Sequence, residues 1–189
     1  MHRVFHKNQV LTIPNLLSVV RLLLIPVILW LYIGLQNNYA AIAVIVISGL
    51  TDVLDGIIAR KFNMVSDFGK ILDPIADKLT QGSLILCLTV TYDWMKWLIV
   101  LFAAKEFVML IMGYLVIRMK DSINSSQWHG KLSTVLLYAT MILLILFPGL
   151  PLSVVNTLIV VCAVVIVMSL ILYTRFYIQL FRTEEGKKV

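Results

Sequence analysis

The sequence predicts an all-α integral membrane protein of six transmembrane helices. Three observations carry that expectation. Hydrophobic residues make up 60% of the 189 positions and charged residues only 14%, with a mean hydropathy of +0.95. Soluble domains run at about 45–50% apolar and about 25% charged, and a chain of this size could not bury so large an excess. The apolar residues fall into six runs, each near the ~20 residues that cross a bilayer. The runs are separated by short stretches of turn chemistry.

Residues 1–15 mix His2, Arg3, His6 and Lys7 with Val4, Phe5, Val10, Leu11 and Ile13. With no small-residue cleavage site after them, they suit an amphipathic segment on the membrane surface rather than a removed signal peptide. Pro14-Asn15 opens the first run, 16–35, which holds Arg21 and Pro26. The other runs lie at roughly 39–60, 70–91, 94–118, 131–148 and 152–176. Between them stand Gln36-Asn37-Asn38, Lys61 to Asp67, Tyr92-Asp93, Lys120 to Gln127, and Pro148-Gly149-Leu150-Pro151. Residues 16–180 therefore form one six-helix domain, followed by a basic tail at 181–189. Cys87 and Cys162 lie inside apolar runs and are expected as reduced core residues.

Charge placement predicts the topology. Lys plus Arg number 16 against 10 acids. With the N-terminus in the cytoplasm, Arg3, Lys7, Arg21, Arg60, Lys61, Lys70, Lys78, Arg118, Lys120, Lys131, Arg175 and the basic tail all fall on or adjoin the cytoplasmic side, while Lys105 is mid-helix. Only Lys96 falls on the opposite surface. Such an asymmetry satisfies the positive-inside rule and puts both termini in the cytoplasm. The tail suits anionic lipid, and no nucleic acid is expected as a partner.

Four carboxylates break the apolar pattern: Asp52 and Asp55 in the second run, Asp73 and Asp77 in the third. Spacings of three and four put each pair on one helix face. Gly56 and Ala59 leave that face of the second helix with little bulk. A short connection makes the two helices antiparallel neighbours whose cytoplasmic halves face each other. Carboxylates in a bilayer cost several kcal/mol each unless paired or hydrated, so they mark function by default. Arg60, Lys70 and Lys78 offset part of the charge. A divalent cation with a preference for hard oxygen ligands, Mg²⁺ or Mn²⁺, does so better. Capping aspartates in salt bridges would explain one such residue but not four. An ion-coupled transporter is the rival class, disfavoured because the acids gather at one face and no inverted repeat is seen.

Residues 52–77 read D-V-L-D-G-I-I-A-R, eight residues, then G-K-I-L-D-P-I-A-D. This resembles the signature of the CDP-alcohol phosphotransferase family, matching at Asp52, Asp55, Gly56, Ala59, Arg60, Gly69, Asp73 and Asp77. The resemblance implies phospholipid biosynthesis: transfer of a phosphatidyl group from CDP-diacylglycerol to an alcohol, with release of CMP. It implies two divalent ions on Asp52, Asp55, Asp73 and Asp77, with Asp77 a ligand or the general base. Gly56, Ala59, Arg60 and Gly69 would line the CDP site. It further implies a homodimer in the cell membrane, with the active site at the cytoplasmic face.

The opening T-I-P-N-L-L-S-V-V-R is similar to bacterial phosphatidylglycerophosphate synthases, which accept glycerol 3-phosphate. It is also similar to eukaryotic-type cardiolipin synthases, which accept phosphatidylglycerol. Lys105, Arg118 and Lys131 are the candidate acceptor-binding cations. The usual A-R-E-F of the synthases reads Ala104-Lys105-Glu106-Phe107 here, and G-K-x-K-T reads Gly130-Lys131-Leu132-Ser133-Thr134. The first departure loses the bidentate fork and the second loses a lysine, and a site short of one cation moves toward the cardiolipin synthases. Glycerol 3-phosphate is the expected acceptor and phosphatidylglycerol the alternative. Arg21 could snorkel to the cytoplasmic surface, the preferred reading, or approach the site.

Overall fold

A computed structural model describes residues 12–61, 69–120 and 128–185, except for the side chains of 59, 60, 70, 116–120, 129 and 180–185. Six helices account for the described chain: α1 Ile13–Leu29, α2 Asn38–Lys61, α3 Gly69–Thr89, α4 Met95–Lys120, α5 Trp128–Leu146 and α6 Leu152–Glu185. No strand occurs among the described residues. Four stretches are long and apolar enough to cross a membrane: Ile13–Gly34, Asn38–Ile58, Met95–Leu115 and Leu152–Gln179. The apolar part of α5, Gly130–Leu146, is shorter. α3 carries Lys70, Asp73, Asp77 and Lys78 in its first half, which sets it apart from the four. Residues 1–11 of the expected surface segment lie outside the described residues, and 13–15 form the first turn of α1.

Each helix end has a local cause. Thr12 caps α1 by accepting from the Asn15 backbone N–H, and Pro14 sits in the first turn, where its missing donor costs nothing. Pro26 leaves the Leu22 carbonyl without its helical donor. A five-residue π-helical turn, Trp30–Gly34, then ends the span. Gln36 turns the chain at φ 50°, and Asn37 Oδ1 accepts from the Ala40 N–H at 3.0 Å at the start of α2. Lys96 Nζ in the first turn of α4 lies 2.5 Å from Asp93 just before the helix, which holds that carboxyl below its ordinary range. Both groups are exposed, so the pair adds little stability.

The chain forms two compact units, residues 1–90 and 91–189. In the first, α1 packs along both α2 and α3. The more extensive contacts of α2 and α3 are with α1, and the two helices also meet through the Asp52 and Asp77 carboxyls, as the sequence predicts. In the second unit, α6 packs against α4 and α5. Large apolar side chains such as Leu23, Leu110 and Leu152 are exposed, as expected where lipid is the solvent. Trp30, Tyr39, Trp94 and Trp97 are exposed near helix ends, where interfacial aromatics belong. Tyr92 departs from that group by being buried. Cys87 and Cys162 are free and buried, as expected, and Cys162 Sγ lies 3.2 Å from Thr140 Oγ1.

Gly130 permits a close approach within the second unit. A Cβ there would lie 2.9 Å from Cε2 of the buried Tyr173. Alanine would gain up to about 1 kcal/mol of helix propensity, but overpacking costs about 1–3 kcal/mol. Gly130→Ala is therefore expected to lower the unfolding temperature in detergent. Adding Tyr173→Ala should relieve the clash. A single variant as stable as wild type would show that α5 and α6 yield freely here.

Candidate active site

The site begins with three polar residues on α1. Asn15, Ser18 and Arg21 recur every third position and are all buried, forming a polar stripe on an otherwise apolar helix. Arg21 is 2% exposed, which overturns the expectation that it snorkels to the surface. The cause is packing: α1 lies along both aspartate-bearing helices, so the guanidinium meets partners before it could reach water.

Those partners are three of the four aspartates. Arg21 Nη2 lies 2.7 Å from Asp52 Oδ1 and 2.6 Å from Asp55 Oδ2. Arg21 Nη1 bonds Asp77 Oδ1. The fourth, Asp73, accepts from the Ser18 hydroxyl, which also lies 3.1 Å from the Pro14 carbonyl and has one proton for the two acceptors. α1 thus touches every signature aspartate, two from the C-terminal half of α2 and two from the N-terminal half of α3. Convergence of the four holds: α1 touches each of them, and the Asp52 and Asp77 carboxyls also meet directly across α2 and α3.

Burial grades the pairs. The Asp55 side chain is 5% exposed, whereas those of Asp52 and Asp77 are 47% and 40% exposed. Arg21–Asp55 is therefore the desolvated pair, and the other two face open space where a ligand could meet them. Among the described residues, no group of three acidic, His or Cys side chains has an arrangement that could hold a metal ion. The carboxylates converge on a guanidinium instead. Arg21 Nε is buried with no hydrogen-bond partner.

The remaining sequence candidates are distributed more widely. Gly56, Ala59 and Arg60 continue α2 beyond Asp55, and buried Gly69 opens α3. The side chains of Ala59 and Arg60 lie outside the described residues. Lys105 on α4 is buried, and its Nζ lies 2.8 Å from Glu106 Oε1. The long lysine bends back to its neighbour, although adjacent residues leave a helix in different directions. Lys131 in the first turn of α5 is exposed. Arg118 lies in α4 with its side chain outside the described residues.

The sequence points to no role for Ser18, and for Arg21 it is the alternative to snorkelling, approach to the site, that the structure bears out. The signal was available: Asn15, Ser18 and Arg21 share a spacing of three within a run that is otherwise apolar.

Charged side chains gathered between membrane-length apolar helices define a membrane protein whose polar site is built on its helices. The chain belongs to the CDP-alcohol phosphatidyltransferase family, whose sequence model matches residues 11–180. It is thus a transferase, and its relatives place it in phospholipid biosynthesis. It is 37% identical over 144 residues to "Cardiolipin synthase (CMP-forming)" of Streptomyces coelicolor, covering 73% of this chain and 67% of that protein. It is 35% identical over 137 residues to "CDP-diacylglycerol--glycerol-3-phosphate 3-phosphatidyltransferase" of Rickettsia typhi, covering 71% of this chain and 76% of that protein.

Proposed function

We propose that this protein transfers the phosphatidyl group of CDP-diacylglycerol to glycerol 3-phosphate, giving phosphatidylglycerophosphate and CMP. The convergence of Asp52, Asp55 and Asp77 on one positive charge is the observation that carries the reading. A cluster that gathers about a cation, and offers only carboxylate oxygens, suits hard divalent ions. Asp52, Asp55, Asp73 and Asp77 would hold two Mg²⁺ or Mn²⁺. When bound, these ions neutralise charge on the pyrophosphate donor and on the departing CMP.

The chain's own residues divide the remaining work. Gly56 and Ala59 keep one face of α2 low enough for the nucleotide to approach, and Gly69 opens α3 beside it. Arg60 offers a planar fork to phosphate oxygens. Asp77, one helical turn beyond Asp73 and open to solvent, accepts the proton of the acceptor hydroxyl at a carboxylate oxygen. Lys131 and Arg118 supply cations for the acceptor phosphate. Basic residues at the aspartate end of the helices support a cytoplasmic site in the cell membrane, with both termini on that side. Family resemblance supports a homodimer.

One observation favours a second acceptor. Lys105 is engaged by Glu106, which takes a cation away from any terminal phosphate. Phosphatidylglycerol, which offers the same glycerol hydroxyl without that phosphate, fits such a site. The test is CMP release by purified protein with CDP-diacylglycerol and Mg²⁺, comparing the two acceptors. Release with glycerol 3-phosphate alone supports the first reading, and release with phosphatidylglycerol alone replaces it with cardiolipin synthesis. Under the first reading, Lys131→Ala should raise the KM for glycerol 3-phosphate, and an unchanged KM would remove Lys131 from the site.

A further inference from the structure

Arg21 occupies a position that the proposed chemistry does not use. Its guanidinium is bonded to Asp52 Oδ1, Asp55 Oδ2 and Asp77 Oδ1, three of the oxygen-bearing groups that a divalent ion would need. It is itself almost fully buried. It is also incompletely satisfied, because Nε has no acceptor, and an unpaired buried donor is a penalty. The seat therefore neutralises the carboxylates well but fits the arginine imperfectly.

We propose that Arg21 is a built-in competitor for divalent cations: its guanidinium neutralises the aspartates that would hold the metal, so it sets the metal affinity of the site. This inference rests on the metal-dependent reading above. Each of these carboxylates keeps a second oxygen, but a metal ion held there would lie beside the guanidinium's positive charge and compete for the same negative groups, so Arg21 opposes metal binding. Arg21 is a positioning residue in this account, acting through the aspartates rather than on the reacting atoms. Ser18 makes the equivalent contact with Asp73 but carries no charge, so it offers no comparable competition.

The test is a titration of the detergent-solubilised full chain with Mn²⁺, following free Mn²⁺ by electron paramagnetic resonance. Wild type is compared with Arg21→Gln and Arg21→Lys, each checked for folding by gel filtration. Arg21→Gln is expected to bind Mn²⁺ about tenfold to a hundredfold more tightly, the span set by losing a hydrogen bond between charged groups. Arg21→Lys keeps the charge but, as a point cation, engages fewer carboxylates at once. It should fall between the two, and it carries the test if the glutamine variant does not fold.

A merely structural role would move the affinity the other way, since a collapsed site binds metal more weakly. Unchanged or weaker binding in the folded variants, with wild type binding normally, overturns the competitor role and leaves the metal-dependent reading intact. Failure of wild type and of both folded variants to bind Mn²⁺ overturns both.

Discussion

Asp77→Asn protein is expected to release CMP about a hundredfold to ten-thousandfold more slowly than wild type, the range that a positioned general base contributes. Asparagine keeps the shape of the side chain and can hydrogen-bond, but it cannot take a proton from the acceptor hydroxyl. The fold should survive. Asp77 is 40% exposed, and an ion pair so open to solvent contributes about 1 kcal/mol or less. Arg21 keeps Asp52 and Asp55 in any case. The measurement is CMP release beside a thermal unfolding curve and a CDP-diacylglycerol binding assay. Near-normal turnover would refute the base assignment. Loss of activity together with loss of folding would show that Asp77 is chiefly structural.

The second large effect is on stability. Arg21→Met, unfolded in detergent with EDTA present, is expected to lose about 3–5 kcal/mol, the cost of removing one partner from a buried ion pair. Most of that loss belongs to Asp55, left as an uncompensated charge at 5% exposure. Asp52 and Asp77 can turn to water and contribute less. The companion variant Arg21→Met/Asp55→Leu removes both buried charges and should recover much of the loss, because a well-packed apolar pair replaces a buried ion pair at little cost. A single variant as stable as wild type would mean that water reaches Asp55 in spite of its burial.

Much of this architecture was legible in the sequence because hydropathy and turn chemistry act locally. The runs at 39–60 and 70–91 lie close to Asn38–Lys61 and Gly69–Thr89. α6 was less legible: the apolar run ends near 176, yet the helix continues to Glu185. Hydropathy follows the bilayer, whereas backbone hydrogen bonding continues through Arg182, Thr183 and Glu184 without needing lipid. The aspartates were legible because carboxylates are costly in an apolar helix. Arg21 was not, since a long cationic side chain can satisfy itself either by reaching the surface or by finding an acid. Only the placement of α1 beside both α2 and α3 decides between those outcomes. The acceptor cations are harder still, because Lys105 meets Glu106 through a side-chain bend that helix periodicity does not predict.

The polar stripe on α1 also acts as a depth gauge. Lipid tails are as apolar as leucine, so greasy contacts alone give a membrane helix little reason to prefer one height over another. Sliding α1 by one turn would carry Arg21 about 5.4 Å along the axis, far beyond contacts of 2.6 and 2.7 Å. Rotating it by one residue, about 100°, would swing Ser18 and Arg21 away from both neighbours together. The chain's first described helix is thereby locked in height and rotation by four acids that lie later in the sequence.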